Sequence, residues 1–258
     1  MTRTFLKSFA FAGIICFAIP VAAQIDYIGI HAQSMQTEEM YDKLFGDDST
    51  SSRKSDRSLA SQRMQSSPGW VAGSGGYLTH PVPRDAVSAS LVYQSTPELR
   101  RDAAEAYIQR VTRSNPQAGA AIAKEIAKND FSRIYAGIVK PFGYRADDAA
   151  DAVAAYTLLG WLIATGAPDP RPDAARAVRE QIAQGLIREG KFANLKTRAE
   201  LGEEMKLLFL TLHAGWQSAR REGNLQQYSD GVVAMFKRFS GNDLRALQLT
   251  DRGFVRRR

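Results

Sequence analysis

Cysteine is almost missing from this chain of 258 residues: Cys16 stands alone. A single cysteine makes no disulfide framework and no cysteine-ligated zinc site. Histidine is scarce as well. His31, His80 and His213 lie far apart, in none of the H-x-x-x-H or H-E-x-x-H spacings of helix-borne zinc hydrolases. The chain has no G-x-x-x-x-G-K-S/T loop and no G-x-G-x-x-G after a strand. The usual phosphate-cradling nucleotide sites are therefore excluded. A nucleophile elbow, G-x-S-x-G, is also missing, which removes the common Ser-His-Asp hydrolases. The expected set of metals and cofactors is empty.

Long hydrophobic runs are rare too, and the clearest one has a specific place. Phe9 to Ile19 is uninterrupted and apolar, follows Arg3 and Lys7, and is broken by Pro20. Val21-Ala22-Ala23 then offers small residues for cleavage before Gln24. This is the three-part layout of a secretory signal peptide, residues 1–23. The run is about half as long as a membrane-spanning helix needs. Cys16 follows Ile14-Ile15 rather than a small residue, which argues against lipoprotein processing. The expected location is periplasmic or secreted. Removing Arg3 and Lys7 lowers the formal charge from +7 to +5. A cysteine-free exported chain must then be held by its apolar core. The composition allows this, with 44% hydrophobic and 24% charged residues.

Residues 24–92 read as an N-terminal arm and linker. Gly46 to Gly69 is crowded with serine (Ser49, Ser51, Ser52, Ser55, Ser58, Ser61, Ser66, Ser67) and interspersed charge. So few apolar residues cannot offset the ordering entropy, and a largely disordered segment is expected. Trp70 to Arg84 is rich in Gly and Pro, and fits an extended arm with Trp70 or Tyr77 as an anchor.

From Thr96 onward the punctuation is helical. Thr96-Pro97 and Asn115-Pro116 each pair a capping side chain with a first-turn proline. Leu99, Ala103, Tyr107 and Val111 share one face, as do Ala118, Ile122 and Ile126. Phe131 to Phe142 marks a third helix ended near Pro141 and Gly143. Asp147 is the expected cap of a fourth, which is apolar nearly all round from Ala152 to Ala164. Only 17 uncharged residues separate Asp151 from Asp169, and Gly160, Gly166 and Pro168 interrupt them. A buried central helix fits better than a membrane span. Pro172 opens a fifth helix. Thr197 with Glu200 makes a capping-box pattern for a long sixth helix, with Leu201, Met205, Leu208, Leu212 and Trp216 in phase. A seventh starts at Asn224, and a short last helix is expected around Asp243 to Leu249. No segment shows period-two alternation, and no repeat of fixed period occurs. The expected fold is all-α: one bundle of about seven helices over residues 93–255, with a basic tail at 256–258.

The order of signals resembles a family of exported bacterial proteins known only as a domain of unknown function. The motifs are Tyr93-x-x-Thr96-Pro97-x-x-Arg100, Asn115-Pro116, Asp148-x-x-Asp151-Ala152-x-Ala154-x-Tyr156, Trp161, Gly166 and Leu249-Thr250-x-x-Gly253-Phe254. The resemblance covers about Tyr93 to Val255. Asn115 stands where an Asp is usual, and Ala155 where an aromatic is more typical. The resemblance implies export and an all-α domain, and it carries over no activity and no functional residue.

Carboxylates are the remaining chemistry. Asp148 and Asp151 share a helix face and can bind a cation or divide acid and base work. Asp147 adds to that cluster. The competing reading is that acidic groups cap the helix and complement its dipole. Glu200, Glu203 and Glu204 invite the same two readings, with Glu204 as a lysozyme-like acid. His213 reads as a packed boundary residue of the long helix. Arg100-Arg101 and Arg220-Arg221 are basic pairs. Arg256, Arg257 and Arg258 can bind anionic lipid, glycan or an acidic partner, or stay solvated. Dispersed basic residues and export argue against nucleic acid. The leading expectation is a non-enzymatic binding module that meets another envelope or secreted protein. The alternatives are an envelope-acting hydrolase and an electrostatic binder through the arginine tail.

Overall fold

In the computed structural model, residues 90–257 are described, and they form seven α-helices and one short hairpin. The helices are α1 (Pro97–Ser114), α2 (Pro116–Lys128), α3 (Phe131–Val139), α4 (Ala149–Thr165), α5 (Pro172–Arg188), α6 (Leu195–Glu222) and α7 (Leu225–Ser240). The expected all-α bundle of seven helices is what these residues build. The expected signal peptide, the serine-rich stretch and the expected Trp70 to Arg84 arm lie outside the described residues. None of the described helices is long and apolar enough to cross a membrane.

Two helices form the axis. In α4 every residue from Ala154 to Ala164 is buried, as an all-round apolar helix demands. It packs along α6, the longest helix at 28 residues. The others arrange themselves about this pair. α1 and α2 form a hairpin joined at Asn115, α1 and α3 rest on α6, α5 rests on α4, and α7 touches both central helices. Glycines on the axis let aromatic rings approach its backbone. A Cβ at Gly160 would meet the Phe236 ring at 2.5 Å, and Cβ atoms at Gly202 and Gly215 would collide with Tyr93 and Tyr228. Each ring therefore fills the space of a missing side chain.

Local signals explain most starts. Thr96 Oγ1 accepts from Leu99 N–H, and Asn115 Oδ1 accepts from Ala118 N–H. Two expected caps shift by a few residues. Asp148, not Asp147, caps α4, accepting from Ala150 and Asp151 N–H. Asn194, not Thr197, caps α6, because Phe192 is buried and the preceding 3-10 turn brings the chain round to Asn194.

The largest departure is at the C-terminus. In place of a last helix, Leu244–Ala246 is one 3-10 turn, followed by the antiparallel pair β1 (Leu247–Thr250) and β2 (Gly253–Arg256). Strands of four residues are too short to stand out by alternation. Gly253, at φ +92°, takes a backbone conformation that L side chains rarely adopt. Inward-facing Leu247 and Phe254 are buried, and the Phe254 ring lies 5.7 Å from that of Trp161.

One further segment is extended. Residues 90–96 form a strap across the N-terminal ends of α4 and α6. Val92 makes an isolated antiparallel bridge with Asp148. Leu91 and Tyr93 enter the core, each contributing about 1.5–3 kcal/mol by burial. The core thus begins ahead of Tyr93.

Candidate functional site: two buried charge clusters and an arginine-bearing hairpin

The first cluster surrounds the start of α4. Asp148 is fully buried, and its Oδ2 accepts from Arg179 Nη2 at 3.0 Å, Arg145 Nη2 at 2.6 Å and the Leu91 backbone N–H at 3.1 Å. Asp151 Oδ1 accepts from Arg179 Nε at 2.8 Å, and its Oδ2 accepts from the Arg145 backbone N–H at 2.7 Å. The Arg179 side chain is only 5% exposed and bridges both carboxylates. Burial pushes the Asp151 carboxyl up, while the Arg145 backbone N–H opposes that rise. Burial would lower Arg179, but the Asp148 and Asp151 carboxylates outweigh it and raise the guanidinium. Every oxygen of this pair is hydrogen-bonded, so it is a closed ionic knot that holds the strap.

The second cluster lies on α6. Glu203 and Lys206 are both 0% exposed and pair at 2.7 Å. Glu203 Oε1 also accepts from Ser95 Oγ at 2.6 Å and Tyr93 Oη at 3.1 Å. Lys206 Nζ donates to Ser132 Oγ on α3 at 3.1 Å and sits 5.6 Å from the Tyr93 ring centre. Burial lowers the Lys206 ammonium, and Glu203 resists that shift. Glu203 Oε2 and the Tyr135 hydroxyl are buried with no hydrogen-bond partner. Burial also drives the Tyr135 phenol up, reinforced by the charge of Asp151.

The sequence candidates therefore separate. Asp148 and Asp151 meet, but around two arginines. Glu204 is elsewhere, bound to Arg110 of α1. Asp147 gives its backbone carbonyl to Tyr93 N–H, and Glu200 pairs with Lys196 at 3.7 Å. His213 is half-buried between Phe209 and Trp216, and burial, with Arg220 adding, pushes it down to about 4. Arg101 faces Asp102 and Glu105 on the exposed side of α1, and Arg220 lies over Trp216. Among the described residues, no group of three or more His, Cys, Asp or Glu is placed to hold a metal ion.

Arg145, Arg179 and Lys206 escaped the sequence reading, and Glu203, named there beside Glu200 and Glu204, was not expected to be buried against a lysine. A signal was present for Arg179. It lies four residues after Ala175 and three before Ile182, inside the apolar stripe of α5. Glu203 and Lys206 look like a solvated i,i+3 pair until α1, α3 and the strap close over them.

The third feature is the C-terminal hairpin, which is held at both edges by neutral side chains. Trp161 Nε1 donates to Leu247 O at 3.1 Å on the β1 side. Gln181 accepts from Phe254 N–H at 2.8 Å and donates to Phe254 O at 2.9 Å on the β2 side. The outer face carries Gln248 opposite Val255, with Arg256 and Arg257 exposed beside them. Arg258 lies outside the described residues.

Compared with known proteins, the chain matches no family model, no curated protein and no solved structure.

Proposed function

We propose that this is an exported, non-enzymatic helical module that binds another component of the bacterial envelope or secretome. The observation that carries the reading is how the acidic side chains are engaged. Asp148 and Asp151 are buried beneath two guanidinium groups, and Glu204 is held by Arg110. A glycosidase needs one carboxyl free to give a proton and a second facing the sugar. Here the corresponding groups hold helices and the strap together. The export signal expected at residues 1–23 and the serine-rich tether before the domain support a module displayed away from its attachment point.

The test uses the full-length protein with purified cell-wall and envelope fractions. Co-sedimentation is measured together with release of reducing ends. Saturable co-sedimentation without release is expected. Release that disappears in Glu204→Gln would overturn the reading in favour of a hydrolase.

A further inference from the structure

Tyr135, on α3, stands between the two buried charge clusters. Its phenol lies within electrostatic reach of Asp151 and Asp148 of the first cluster and of Glu203 of the second. Its ring meets Phe209 of α6 edge-on, with 5.3 Å between centres. Ser132 lies three residues earlier, on the same face of α3, and accepts from Lys206 Nζ at 3.1 Å. The contact between α3 and α6 therefore sets Ser132 and Tyr135 against Glu203, Lys206 and Phe209.

Polar groups in this contact are otherwise well partnered. Glu203 Oε1 accepts from Lys206, Ser95 and Tyr93. The oxygens of Asp148 and Asp151 accept from backbone N–H groups and two arginines. Glu203 Oε2 and Tyr135 Oη are the exceptions. Both side chains are 0% exposed, and these two atoms bond neither to each other nor to any other described group. Buried oxygens without a partner are costly and rare in folded proteins. Their needs are complementary: the phenol requires an acceptor, and the carboxylate oxygen requires a donor.

We propose that an internal water molecule binds between these two oxygens, accepting from Tyr135 Oη and donating to Glu203 Oε2. Water is selected because the bridging group must both accept and donate. A cation cannot accept from the phenol, and Lys206 already supplies the counter-charge of Glu203 at 2.7 Å. Both atoms are sealed from solvent, which excludes a larger solute. The water gives Glu203 a fixed partner on each oxygen. One oxygen holds Tyr93 and Ser95 of the strap, and the other is tied through water to α3. Tyr135 is thus a positioning residue for the strap, whatever the module binds.

The experiment is a crystal structure of the full-length protein at a resolution that shows ordered solvent, paired with thermal melts of Tyr135→Phe. One solvent peak within about 3.2 Å of both oxygens is expected. Direct contact between the two oxygens, or no peak there, would overturn the proposal. Tyr135→Phe keeps the ring and deletes only the hydroxyl, so it tests the site without disturbing the Glu203–Lys206 pair. Its melting temperature should fall, and its Tyr93 amide should exchange at least about threefold faster. A melting temperature that is unchanged or raised would mean that the phenol had no partner to lose, and would overturn the bridge. Melts of the parent in sodium, potassium and choline chloride at equal ionic strength should coincide. Selective stabilisation by one of these cations that disappears in Tyr135→Phe would overturn water as the ligand.

Discussion

The strap, residues 90–96, and the hairpin, residues 247–256, are both extended chain laid on helices, yet the bundle grips them by opposite chemistry. The strap is held by charge. Asp148 takes the Leu91 N–H, Arg198 donates to Val92 O at 3.1 Å, and Glu203 takes the Tyr93 and Ser95 hydroxyls. The hairpin is held by an indole and an amide, Trp161 and Gln181. Its own charges face outward. Each segment is therefore vulnerable in its own way. The strap depends on ion pairs that are costly to leave half-made, whereas the hairpin depends on neutral bonds and packing that pH does not reach.

The largest expected effect tests the charged side. Arg179→Met leaves Asp148 and Asp151 buried with only the half-exposed Arg145. A loss of about 3–5 kcal/mol is expected in urea unfolding. A loss below about 1 kcal/mol would show that these ion pairs do not hold the strap. Next is the notch beneath the strap. Gly202→Ala places a methyl group against the Tyr93 ring. About 1–3 kcal/mol should be lost, with increased hydrogen exchange at Leu91 and Tyr93 rather than at Phe254.

On the neutral side, Gln181→Ala removes both side-chain bonds to Phe254 and should cost about 1–3 kcal/mol. The loss should be the same at pH 5 and pH 7. A strong pH dependence there would show that charge reaches the hairpin after all.

Acid gives a test with two signs. The native His213 pKa is pushed down from 6.5 to about 4. The unfolded chain then binds the proton first, so stability falls as pH drops from 6.5 toward 4, by about 1–3 kcal/mol. Asp151, raised by burial, acts in reverse. The native state holds its proton to higher pH, so this carboxyl adds stability toward acid and withdraws it as pH rises. His213→Gln should remove the first slope and expose the second, as read by thermal melts across that range. The smallest effect belongs to the outer face. R252A/R256A/R257A should shift stability by less than about 0.5 kcal/mol, since these arginines are exposed and pair with no carboxylate among the described residues.

Helix existence and order were readable because each signal is local. Thr96-Pro97, Asn115-Pro116 and Pro172 declare starts within one turn, and α4 declares its burial by lacking a polar face. The hairpin was not readable. Leu247 to Thr250 has neither the length nor the alternation of a strand, and its pairing is completed by Trp161 and Gln181, both more than 60 residues away in sequence. The candidate site was half readable. Asp148 and Asp151 stood out as carboxylates, but Arg179, the residue that determines what they do, reaches them from the next helix.

The chain by itself determined seven helices, their order and the apolar axis, since caps, prolines and periodicity act over a few residues. Tertiary structure alone decided that Glu203 and Lys206 are buried and that Asp148 and Asp151 are tied rather than free. The physical reason is that a charge's role depends on which distant groups share its dielectric surroundings, and only packing brings those groups together.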